Sequence, residues 1–120
     1  MEQELKRWRE KAKDDFEKAE ILYDNKKFDG AAFFCQQSIE KMLKAVLLKK
    51  EGSIKKIHDL IELGKDSEMP KKLLDYCKEI TQSYIYSRYP DIEEPENIKG
   101  ISKNFLKYTK EVLKWAEKKA

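Results

Sequence analysis

Apolar residues recur at steps of three and four along most of the chain. Between Phe28 and Gly52 the positions Phe28, Ala32, Cys35, Ile39, Met42, Leu43 and Val46 form one stripe, and Ala31, Phe34, Ala45 and Leu48 widen it. This period predicts a central helix with a broad buried face, ended by Gly52 in the left-handed conformation that glycine tolerates. Gln37, Glu40, Lys41 and Lys44 form the opposite stripe, with Glu40 and Lys44 at the favourable i, i+4 spacing. Read by pattern alone, Gln36, Gln37, Glu40 and Lys41 are a solvated face. The alternative is the wall of a groove closed by a partner, which Phe33 favours because it sets a large aromatic beside the polar side.

The same period predicts the other elements. Leu5, Trp8, Ala12, Phe16, Ala19 and Tyr23 mark a first helix over residues 3–25, and Asp24-Asn25-Lys26-Lys27 reads as the turn of a helical hairpin. After a short connection, Asp59 is placed to cap a two-turn helix and Gly64 to end it. Pro70 opens the next helix, whose stripe is Leu73, Cys77, Ile80 and Tyr84, with Leu74, Thr81 and Ile85 beside it. Arg88 continues that stripe, and Pro90 biases Tyr89 out of helical geometry, so the helix stops near Arg88. An acidic link through Glu93 and Glu94 leads to a last helix from about Ile98 or Ile101, carrying Ile101, Phe105, Tyr108, Val112 and Trp115. Residues 117–120 are expected to fray. With no strand pattern and no internal repeat, the fold class is all-α, in one domain spanning 1–120.

Composition narrows the partners. The chain has 26 Lys and Arg against 23 Asp and Glu, a formal charge of +3, so any phosphate site must be local rather than a general basic surface. No apolar run approaches the ~20 residues of a membrane-spanning helix, and the Met-Glu-Gln-Glu start is unlike an export signal, so a cytoplasmic protein is expected. Cys35 and Cys77 stand in apolar phase without a C-x-x-C spacing and read as buried thiols rather than a disulfide. His58 is the single histidine, and no zinc, metal or other cofactor pattern is present. The Gly-rich phosphate loop, the G-x-S-x-G elbow and the H-E-x-x-H helix are all missing, which argues against an enzyme.

Two places retain candidate chemistry. Arg88 is either a cation stabilising a helix C-terminus or a phosphate-gripping fork, with Tyr84, Tyr86 and Tyr89 nearby to stack on a base. The tyrosines suit a dimer interface equally well. Histidine is a common acid–base catalyst, but the place of His58 just before a short helix also suits capping or packing.

Three ordered motifs then give a resemblance. The run Ala31-Ala32-Phe33-Phe34-Cys35-Gln36-Gln37-Ser38-Ile39-Glu40-Lys41-Met42-Leu43-Lys44-Ala45, the later Ile57-His58-Asp59-Leu60, and Arg88-Tyr89-Pro90-Asp91 together resemble the HEPN (higher eukaryotes and prokaryotes nucleotide-binding) family. The resemblance implies an up-and-down four-helix bundle with one additional short helix, usually a homodimer. It also implies a separately encoded minimal nucleotidyltransferase as partner, the pair being similar to a divided antibiotic nucleotidyltransferase whose helical half helps bind substrate. Other members are ribonucleases, often toxins of toxin-antitoxin pairs, that use an arginine followed four to six residues later by a histidine. Here no histidine follows Arg88. Arginine stays charged and cannot move the proton that metal-free RNA cleavage requires. The expected role is therefore nucleotide or substrate binding by Arg88, Tyr89, Tyr86 and Asp91, with Gln37, Glu40, Lys41 and His58 along the groove. A metal-independent ribonuclease and a noncatalytic dimeric interaction module are the alternatives.

Overall fold

The computed structural model describes every residue except Lys55 and the side chains of residues 83–88. Five helices follow in order: α1 Glu2–Asp24, α2 Phe28–Glu51, α3 Leu60–Asp66, α4 Lys71–Arg88 and α5 Ile98–Glu117. No strand occurs among the described residues. The four long helices form an up-and-down bundle measuring 42 × 24 × 24 Å, and α3 braces one end. Its length is close to the roughly 36 Å of a 24-residue helix at ~1.5 Å per residue.

Helix α2 lies at the centre and packs on all four others. Ile39, Leu43 and Leu47 meet Leu60 and Leu63 of α3, Leu73, Cys77 and Ile80 of α4, and Phe105 and Val112 of α5 in the main core. A second cluster joins Leu5 and Ala12 of α1 to Met42, Ala45, Val46 and Leu48, with Leu113 and Ala116 closing it. Gly52 ends α2 at φ 82°, and its amide returns to the Leu48 carbonyl at 2.8 Å. In the hairpin before α2, Lys26 takes φ 61° and the Lys27 amide reaches the Leu22 carbonyl at 2.7 Å. Asp59 caps α3 by accepting from the Ile61 amide at 2.9 Å.

Three expectations are corrected. The polar stripe of α2 is not solvated: Gln36, Glu40 and Lys44 are buried, and α1 packs along the helix. A two-sided reading fails because a central helix has neighbours on nearly every side. Gly64 does not end α3 but sits inside it, where a Cβ would stand 2.9 Å from Leu74 Cδ1 and 3.4 Å from Met69 Sδ. Its smallness lets α3 approach α4. The C-terminal turn does not fray, since Ala120 is buried and its carbonyl accepts from Arg9 Nη1 at 2.9 Å.

Candidate functional site

Antiparallel neighbours α1 and α2 hold two charged networks, each centred on a buried carboxylate. The first is Asp15, only 1 % exposed, which bonds Lys41 and has Lys18 and Lys11 at 3.8 and 3.9 Å. The Ser38 hydroxyl donates to the Ala12 carbonyl beside it, at 2.7 Å. Lys41 is therefore a clamp between two helices. It also borders a shallow basin of about 510 Å³ with Glu4, Arg7, Trp8 and Lys11.

The second network contains Glu40. Its Oε2 accepts from Lys44 Nζ at 3.2 Å and contacts His58 Nδ1 at 2.8 Å. Lys44 is itself buried, and its ammonium lies 5.6 Å from the Trp8 ring centroid. An ionised carboxylate only accepts, so Nδ1 of His58 donates, and in the neutral imidazole this leaves the lone pair on Nε2. The imidazole is 78 % exposed, so that Nε2 faces solvent. A buried carboxylate orienting an exposed imidazole is an arrangement suited to proton transfer.

A groove of about 290 Å³ separates α4 from α5. Ile101, Phe105 and Pro95 give it an apolar wall, while Glu79, Gln82, Asn104 and Tyr108 supply polar groups. Tyr108 is held by a parallel stack on Tyr76, with centroids 3.9 Å apart and planes 7° apart. Burial, followed by its hydrogen bond to Glu79, pushes the Tyr108 hydroxyl above its usual pKa. Pro95 belongs to the same loop as Tyr89 and Asp91, so the groove opens beside the segment that follows α4.

The sequence-derived set divides between these places. Glu40 and His58 are brought together, whereas Lys41 turns to Asp15 and joins a different network. Gln37 is half-buried on α2. The three do not form one groove wall, because neighbouring positions on a surrounded helix face different partners. Tyr89 is 53 % exposed and Asp91 is exposed, in a turn closed by the Ile92 amide on the Tyr89 carbonyl at 3.1 Å. The side-chain roles of Arg88 and Tyr86, and of Tyr84 with them, lie outside the described residues. Phe33 is half-buried with its ring edge-on to Phe34, at 5.3 Å and 87°. The Glu40–Lys44 pair that the i, i+4 spacing gave is present at 3.2 Å. Glu79, Gln82 and Asn104 were not singled out from the sequence, where their signal is weak: polar residues flanking the apolar stripes of two neighbouring helices.

Cys35 and Cys77 are free and buried, and burial pushes each thiol up to about 12. Among the described residues no cluster of His, Cys, Asp or Glu is arranged to hold a metal ion, and no helix is long and apolar enough to cross a membrane.

The model of the HEPN domain family matches residues 5–119. The chain belongs to the HEPN family. Its fold is similar to the crystal structure of TT1696 from Thermus thermophilus, with 23% identity, a TM-score of 0.85 and coverage of 97% of this chain and 98% of that one. It is also similar to ST0689, an archaeal HEPN homologue, with 23% identity, a TM-score of 0.76 and 94% of both chains covered. No curated protein matches in sequence. These likenesses establish the helical HEPN fold, and the five helices among the described residues agree with it.

Proposed function

We propose that this HEPN domain binds a nucleotide or nucleotide-linked substrate, as a homodimer, and acts beside a separately encoded nucleotidyltransferase. Arg88 grips phosphate, while Tyr89 and Tyr86 contact the base or ribose. The observation that carries this reading is the α4–α5 groove, which shares a loop with the exposed Tyr89 and Asp91. An apolar wall with a few convergent polar groups is the usual form of a small-molecule site. Exposed Ile92 and Tyr89, at 44% and 53%, add apolar area at the same end, suited to a second subunit or a partner.

Calorimetric titration of nucleoside triphosphates into the purified chain tests the reading. Magnesium belongs in the buffer, because Asp91, Glu93, Glu94 and Glu96 repel a free triphosphate. Saturable binding that weakens at least about tenfold in Arg88→Ala is the expected result, since bonds to charged groups are worth roughly 1.5–3 kcal/mol. Unchanged affinity in that variant removes Arg88 from the site, and no saturable binding of any nucleotide overturns the reading.

The His58–Glu40 pair favours a second reading, a metal-independent ribonuclease. His58 Nε2 would take the proton of a ribose 2′-hydroxyl, a role the sequence after Arg88 leaves vacant. Cleavage of structured RNA in chelator, lost in both His58→Ala and Arg88→Ala, would establish it over binding alone.

A further inference from the structure

The α4–α5 groove has a polar lining of one carboxylate, Glu79, and two carboxamides, Gln82 and Asn104, beside the Tyr108 hydroxyl. Its volume, about 290 Å³, lies at the lower edge of the roughly 300–1,000 Å³ typical of small-molecule sites. That is room for a planar base. Gln82 stands six residues before Arg88 on α4, a span of about 9 Å at ~1.5 Å per residue. The end of α4 is therefore within reach of the sugar and phosphate of a nucleotide whose base sits in the groove.

The lining also discriminates between bases. An ionised carboxylate only accepts hydrogen bonds, whereas each carboxamide both donates and accepts. Guanine offers two adjacent donors, its ring N1–H and its exocyclic amine, next to the O6 acceptor. Glu79, whose carboxylate also accepts from the Tyr108 hydroxyl, keeps lone pairs for both donors, and Asn104 or Gln82 can donate to O6 or N7. Adenine sets the acceptor N1 beside its amine, which would face the carboxylate with a lone pair. Pyrimidines are smaller and leave the apolar wall of Ile101 and Phe105 only partly covered. The stack of Tyr76 on Tyr108 keeps that side of the groove in place before any ligand arrives.

We infer that the groove between α4 and α5 is a guanine-recognition site, with Glu79 reading the donor edge of the base and Asn104 and Gln82 its acceptors. The inference rests on the nucleotide-binding reading above and names the base for the same site. Titration of the full chain with GMP, GTP, AMP, ATP, CMP and UMP tests it, alongside Glu79→Gln, Asn104→Ala and Arg88→Ala. Thermal melts check that each variant folds. Guanine nucleotides should bind roughly three- to tenfold more tightly than the others, the gain expected of one net hydrogen bond made by exposed groups. Glu79→Gln, an exposed and nearly isosteric change, should abolish that preference without altering the melt.

Equal affinity for guanine and adenine nucleotides overturns the inference, as does a guanine preference that survives Glu79→Gln. Binding that depends on Arg88 but is indifferent to the base sinks the guanine assignment and leaves the phosphate reading standing. Failure of every nucleotide to bind sinks both.

Discussion

At the scale of single residues, Glu40 and Lys44 show how a buried charge is tolerated. Each is less than one-tenth exposed, and each has the other as counter-ion, with His58 and Trp8 completing the set. Glu40→Ala strips the ammonium of Lys44 of its partner and should cost about 3–5 kcal/mol, the usual penalty for breaking a buried pair. His58→Ala removes an exposed partner and should cost only ~1 kcal/mol. Urea unfolding of the two variants checks the order, and a larger loss for His58→Ala would contradict this account of the network. The thiols make a separate prediction. Cys35 and Cys77 are raised from the ordinary 9.0 to about 12, so the unfolded chain releases these protons first. Their stabilising effect is whole below pH 9 and is lost as the pH rises toward 12, because over that window the unfolded state binds fewer protons. Melting temperatures should fall as the pH is raised above about 9, and the fall should shrink in Cys77→Ser after correction for the substitution itself. Native protein near neutral pH should label with a thiol reagent only at the rate of unfolding.

At the scale of elements, the helix ends are set by a few local groups. Gly52 sits at φ 82°, where a side chain costs roughly 1–2 kcal/mol, so Gly52→Ala should lower stability by about that amount. Asp59→Ala removes the cap of α3 and should cost ~1 kcal/mol. Gly64→Ala separates two effects. A helix interior ordinarily gains ~1 kcal/mol from this change. Here the new methyl meets Leu74 Cδ1 at 2.9 Å, so Leu74 must shift and the gain should be absent. A stabilised Gly64→Ala, measured by chemical denaturation, would mean that α3 is free to lift from α4. Most element boundaries were legible in the sequence because caps and breakers act within a few residues. Gly64 was misread for the opposite reason, since its role is set by Leu74, a residue of the next helix that packs against it.

At the scale of the whole molecule, α2 is the organising element because both hydrophobic clusters include it. The radius of gyration, 13.8 Å, agrees with the roughly 13.6 Å expected for a compact chain of this length. Compactness leaves the exposed apolar residues Met1, Ile21, Tyr89 and Ile92 as surface features rather than gaps in the core. The proposed homodimer should appear in light scattering as twice the 14.3 kDa chain mass, and should weaken in a Tyr89→Ala, Ile92→Ala double variant. A monomer at all concentrations would remove the dimer from the proposal. With a net charge of only +3, nucleic acid should not bind across the surface, so any RNA affinity should vanish in Arg88→Ala rather than fade gradually with single lysine changes.

The sequence by itself determined the helices, their order and the family, because helical periodicity and capping are local and the three motifs can be read without coordinates. It also determined which residues are apolar enough for the core. Apart from local roles such as the Asp59 cap and the Glu40–Lys44 spacing, tertiary structure decided what the polar residues do. Burial depends on how many neighbours a helix has. The face of α2 that looks solvated in isolation therefore joins two charged networks once α1 and the α2–α3 connection pack on it. The groove of Glu79, Gln82, Asn104 and Tyr108 follows the same logic, since it exists only where the flanks of α4 and α5 come side by side.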